Sequence, residues 1–113
     1  VSTRDDLMKL LQDRDTRHLF MAVELRREIA RQVREHRLAR GWSQGELARE
    51  AGLGEGVIAR VENPDGDDPE ILDLQQIAGA LDVALSIRFI SWGEFVDLVL
   101  SQQGIVVSPW SDE

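Results

Sequence analysis

The sequence predicts a mainly α fold: a five-helix domain, an N-terminal helical extension before it, and a C-terminal strand plus helix after it. Three observations predict this. Apolar residues recur at helical spacing through most of residues 4–81. Residues 43–62, SQGELAREAGLGEGVIARVE, carry the punctuation of two short helices joined by a tight turn. Over residues 83–90 the apolar period changes from 3.6 to 2. The expected division is 1–24 for the extension, 25–82 for the central domain and 83–113 for the strand, helix and tail.

Residues 4–12 read as a short amphipathic helix with Leu7, Leu10 and Leu11 on one face. The polar run Asp13–Thr16 breaks it. A long helix is expected from about 16 to 40, with Phe20, Val23, Ile29, Ala30 and Val33 among its apolar positions, and Gly41 stops it. Ser43 is a good N-cap, and Glu46 completes a capping box. Leu47, Ala48 and Ala51 follow at helical spacing, Gly52 ends the helix in a left-handed conformation, and Leu53 plugs the turn. Gly54 opens a second helix that buries Val57, Ile58 and Val61. Two helices joined in this way form a helix-turn-helix, a shape that places one helix in the major groove of DNA.

An acidic loop, Asn63–Asp68, precedes Pro69, which is expected at the first position of a helix running to about Leu81. Val83, Leu85, Ile87 and Phe89 then alternate with Ala84, Ser86, Arg88 and Ile90, as in a β-strand. Ser91 and Glu94 form another capping box for a helix carrying Trp92, Phe95, Val96, Val99 and Leu100. A lone strand needs a hydrogen-bonding partner. That partner is either the same strand of a second copy, paired about a two-fold axis, or Ile105–Val107 of the same chain. The first gives a homodimer with Leu85, Ile87, Phe89 and Trp92 at its interface.

The residues Arg37, Gly41, Trp42, Ser43, Gln44, Leu47 and Ala48, then Gly52, Leu53, Ile58, Ala59, Val61 and Glu62, match at fixed spacing the pattern of the phage-repressor (Cro/Xre) family. Leu74, Ile77, Ala78, Ala80 and Leu81 resemble that family's next core helix, so the resemblance covers roughly 26–83. It implies a repressor-like helix-turn-helix domain and a sequence-specific transcriptional regulator, a repressor, bound to double-stranded DNA. A homodimer would set its two reading helices about 34 Å apart and take a palindromic operator. The strand after the core also resembles HigA-like antitoxins. Their resemblance implies the alternative function, in which the N-terminal segment or the acidic C-terminal surface covers a basic toxin while the helix-turn-helix represses its own operon.

By the resemblance, Ser43, Gln44, Gly54, Glu55, Gly56, Ala59, Arg60 and Asn63 bind DNA. Gln44 contacts phosphate and braces the reading helix. Arg60 is suited to guanine through its bidentate fork, or else to phosphate. Glu55 either accepts from cytosine N4 or repels phosphate. Gly56 stands where the family has a polar reader, and Gly54 replaces the family serine. Arg37 and Glu62 look like the family's internal ion pair, a structural role.

Net charge is −8 over 113 residues, the wrong sign for a DNA ligand. Its distribution is uneven: residues 24–62 carry eight Arg against seven Glu, while residues 63–113 carry one Arg against ten acids. Arg34, Arg40, Arg49 and Arg60 are the candidate local basic face, or else they balance neighbouring Glu along solvated helix faces. Without Cys there is neither a disulfide framework nor a thiolate metal site. Asp65, Asp67 and Asp68 lack the ligand spacing of a calcium loop, and His18 and His36 lie too far apart along one helix to share a metal. His36 reads as a core or boundary residue. No nucleophile constellation or phosphate-cradling loop is present, so neither an enzyme nor a cofactor is expected. No apolar run reaches membrane-span length and no signal-peptide core is seen, which points to a cytoplasmic protein without membrane contact.

Overall fold

Helix ends in this chain are set by local chemistry, and the computed structural model, which describes residues 3–102, displays each device. Six helices are formed among the described residues: α1 (Thr3–Leu10), α2 (Arg14–Ala39), α3 (Gln44–Ala51), α4 (Glu55–Val61), α5 (Ile71–Ala80) and α6 (Trp92–Gln102). The polar run before α2 is its cap rather than a spacer. Asp13 Oδ2 accepts from the Thr16 backbone N–H at 2.9 Å and from its hydroxyl at 2.7 Å, so the helix begins at Arg14. These bonds hold the Asp13 carboxyl below its ordinary range.

Three helices end in one geometry. Gly41 and Gly52 adopt φ of 71° and 70°. The next residues, Trp42 and Leu53, donate back to Arg37 O and Ala48 O, closing six-residue Schellman turns. Asp82 does the same after α5 with φ of 57°, its successor Val83 donating to Ala78 O at 3.0 Å. A side chain in that region is strained, and Asp tolerates it better than most. Helix α5 starts at Ile71 with Glu70 as its N-cap, two residues later than Pro69 suggests. The ring disfavours the α conformation at the residue before it, and the extended backbone persists through Glu70 (φ −83°, ψ 143°).

The chain divides into two compact units, Ala22–Ile87 and Val1–Met21 with Arg88–Glu113. The first holds most of α2 with α3, α4 and α5, so four helices rather than five build the helix-turn-helix unit. Its core is Val33, Leu47, Ala48, Ala51, Ile58, Val61, Leu74, Ile77 and Leu81. Leu47 and Ile58 are fully buried; truncating either to Ala costs about 2–5 kcal/mol. In the second unit α1 and α6 pack through Leu11, Val96 and Leu100, with Leu7, Met8, Phe20 and Trp92 against them. Phe95 takes Phe20 and Trp92 edge-on at 5.8 and 5.7 Å, Arg17 lies 5.6 Å over the Trp92 ring, and Arg4 Nε meets Asp97 Oδ1 at 2.7 Å.

Several expectations need correction. Leu10 is exposed, whereas Leu7 and Leu11, four residues apart on one helix face, are packed. Val23 lies on the open side of α2, and His36 is exposed rather than at the core. Residues 83–91 form no strand: a strand is defined by its ladder, and residues 84–90 make no backbone hydrogen bond to another described residue. Ile105–Val107 lie outside the described residues. No helix among the described residues is long and apolar enough to cross a membrane.

Candidate nucleic-acid interface

Helix α4 is anchored from beneath and open above. Ile58 and Val61 point into the core, whereas Glu55, Gly56, Ala59 and Arg60 form a contiguous exposed face. Its start is set by Gly54, extended at φ −74° and ψ 151°. Its end is held by Glu62. Arg37 Nε and Nη2 donate to the two Glu62 oxygens at 2.6 and 2.9 Å, and Gln44 Nε2 donates to Glu62 Oε1 at 3.2 Å. Both side chains of the ion pair are under a tenth exposed. Arg37 Nη1 also donates to Trp42 O at 2.8 Å, so one guanidinium ties α2, the loop before α3 and the end of α4. The Glu62 hydrogen bonds raise the Arg37 pKa further above its ordinary value.

A second arginine acts at the same end of α4, and sequence reasoning missed it. Arg26 is buried, and its Nη2 donates to Asn63 O at 2.5 Å and Arg60 O at 3.3 Å. A cation at a helix C-terminus meets the negative end of the dipole. The signal was present in the sequence: Arg26, Ala30, Val33 and Arg37, the buried residues of α2, recur at spacings of four, three and four. An arginine thus closes each end of the apolar stripe. Arg26 Nε and Nη1 are buried without a hydrogen-bond partner.

The candidate DNA contacts separate into engaged and open groups. Ser43 is committed to its cap, accepting from Glu46 N at 3.0 Å and donating its own N–H to Glu46 Oε1 at 2.7 Å. The same contact holds the Glu46 carboxyl below its ordinary range. Asn63, by the resemblance, offers its backbone N–H or its side-chain amide to phosphate. Its backbone N–H donates to Arg60 O at 3.2 Å, and its Oδ1 caps the turn by accepting from Asp65 N at 3.0 Å. Arg40 leaves the basic face, because it donates to Leu81 O at 2.8 Å and stacks 5.3 Å over Trp42. Arg34, Arg49 and Arg60 are exposed, and no ion pair engages them among the described residues. Arg27 and Arg31 are paired along α2 with Glu24, Glu28 and Glu35.

The acidic loop stands beside Arg60. Asp67, Asp68, Glu70 and Asp73 line, with Arg60 and Val57, a shallow pocket of about 340 Å³. Among the expected interface residues, Leu85, Ile87 and Phe89 are exposed, Phe89 fully so. Trp92 is not available in the same way: its ring packs on Phe95, Arg17 and the α1–α6 core.

Comparison with curated proteins and with solved structures gives no match. A family model described as helix-turn-helix matches residues 33–87, from the last two turns of α2 to seven residues beyond α5. The match over residues 33–87 supports a helix-turn-helix domain of the phage-repressor (Cro/Xre) type, a family of DNA-binding transcriptional regulators.

Proposed function

We propose that the chain is a sequence-specific repressor that occupies a palindromic operator as a homodimer. One observation carries the reading. Helix α4 presents Glu55, Gly56, Ala59 and Arg60 outward while Arg26 and Arg37 fix its far end from below. A helix held this firmly is preorganised for a groove. Arg60 reads base edges, Arg34 and Arg49 meet phosphates, and Gln44 with Glu62 keeps α3 and α4 in register. Residues 25–82 carry the reading of DNA, in the cytoplasm, with neither cofactor nor catalysis.

Self-association falls to residues 83–89. Val83, Leu85, Ile87 and Phe89 are all exposed, and the backbone between residues 84 and 90 has no partner in its own chain among the described residues. Antiparallel pairing with the same segment of a second copy satisfies those groups and covers those side chains. Leu7 and Leu11 are packed within the chain, which supports the repressor reading over a toxin-binding arm built on those two residues.

The test is binding of the purified chain to the duplex upstream of its own gene, against a scrambled duplex, across a salt series. Salt-sensitive preference for the upstream duplex is the expected result. Equal binding to both, or none at low salt, overturns the reading. Ile87→Lys is expected to halve the mass in sedimentation; an unchanged dimer removes the segment from the interface.

A further inference from the structure

We infer that Gly56 is a specificity-determining position, because its missing side chain is the seat of the Arg60 guanidinium, and that each half-site is consequently read by one arginine on one guanine. The inference rests on the DNA-reading proposal and names what that face recognises. The geometry is as follows. A Cβ built on Gly56 would lie 3.8 Å from Arg60 Nη1, and apart from its chain neighbours and its own helix backbone no other atom comes within 4 Å. Long side chains on a helix lean toward the N-terminus over the preceding turn, so residue 60 covers the surface of residue 56. A side chain longer than the methyl of Ala at 56 would occupy that surface.

The neighbouring positions offer no competing reader. Glu55 turns back onto α3: its Oε1 stands 3.2 Å from where a Gly45 Cβ would be. Ala59 carries only a methyl group, which can touch a thymine methyl but forms no hydrogen bond. Gly54 has no side chain, and the Ser43 hydroxyl oxygen is held by Glu46 N. That leaves the five-donor fork of Arg60, whose geometry matches guanine O6 and N7 in the major groove. The sequence preference should therefore be narrow: one dominant G·C pair in each half-site, with the remaining positions read weakly through shape.

The experiment is selection from a randomised duplex library with the full chain, followed by titration of the selected duplex and its G-to-A variant. Wild type should enrich one guanine per half-site and lose on the order of tenfold affinity on its replacement. Gly56→Ala should keep that ratio, since its Cβ makes an ordinary contact with Arg60. Gly56→Gln should abolish the guanine preference, as should Arg60→Ala. Both substitutions at 56 raise helix propensity at an exposed site, so thermal melts should show the fold retained. If Gly56→Gln folds and keeps the guanine preference, or if wild type enriches several fixed bases per half-site, the inference is overturned while DNA reading stands. If wild type enriches nothing, the DNA-reading proposal fails and this inference with it.

Discussion

Replacing Arg37 by Met removes the guanidinium that joins α2 to the end of α4 and leaves Glu62 in place. The Arg37 and Glu62 side chains are 9% and 3% exposed, so water cannot readily take over from the lost partner. Removing one member of a buried pair costs about 3–5 kcal/mol, because a charge is stranded. Gln44 still donates to Glu62 Oε1, which places the loss toward the lower end, while Trp42 O loses its donor as well. For a unit of this size each kcal/mol moves the melting temperature by about 4–8 °C, so a loss of about 3 kcal/mol lowers it by roughly 12–24 °C. The assay is thermal and urea unfolding followed by far-UV circular dichroism. Arg37→Met/Glu62→Leu completes the cycle: with neither charge stranded, much of the stability returns. A loss below about 1 kcal/mol for the single variant, the value of an exposed pair, refutes the reasoning. So does a double variant as unstable as the sum of the singles.

Four further outcomes are expected. A Cβ at Gly66 would lie 3.1 Å from Arg60 O and 3.3 Å from Asn63 O, both backbone atoms, so Gly66→Ala should cost about 1–3 kcal/mol in a urea melt. Asp82→Gly should raise stability by about 0.5–1 kcal/mol, by relieving the left-handed residue after α5; no gain would show that the position is unstrained. Glu46 is charged more readily in the fold than in the unfolded chain, so its contribution is complete above the ordinary glutamate value and fades as pH falls through its lower folded value. Between about pH 6 and about pH 3, Glu46→Gln should lose less stability than wild type. Finally, with Arg34 and Arg49 of each protomer on phosphate and Arg60 on a base, a dimer should show a slope of log K against log salt of about −4. Arg49→Ala should make that slope shallower by about 2, and an unchanged slope would take Arg49 off the DNA.

The sequence carries the local part of this molecule in the open. Ser43 with Glu46 and Ser91 with Glu94 each satisfy backbone donors within three residues, and both capping boxes form. Gly41 and Gly52 announce left-handed turns because few other residues enter them cheaply. Leu47, Ile58 and Val61 fall in the core because helical spacing alone puts them on one face. The exposed face of α4 was legible for the same reason.

Other assignments depended on atoms far away along the chain. Arg26 and Arg40 look like any surface arginine until the carbonyls of Asn63 and Leu81, 37 and 41 residues on, arrive beside them. Trp92 resembled an interface residue because its amphipathic pattern does not say which neighbour covers it, and Phe95 and Arg17 do. His36, read as a core or boundary residue, is exposed, because a helix repeat fixes relative positions and not which flank meets a neighbour. Residues 83–90 have a strand's pattern without a strand's ladder, since hydrogen bonds between strands need a second segment that the pattern cannot supply. The sequence by itself determined where helices start, stop and turn, because capping and periodicity act within a few residues. Only the tertiary structure decided that Arg26 and Arg40 hold the fold while Arg34, Arg49 and Arg60 face outward, because that choice rests on long-range contacts with main-chain carbonyls.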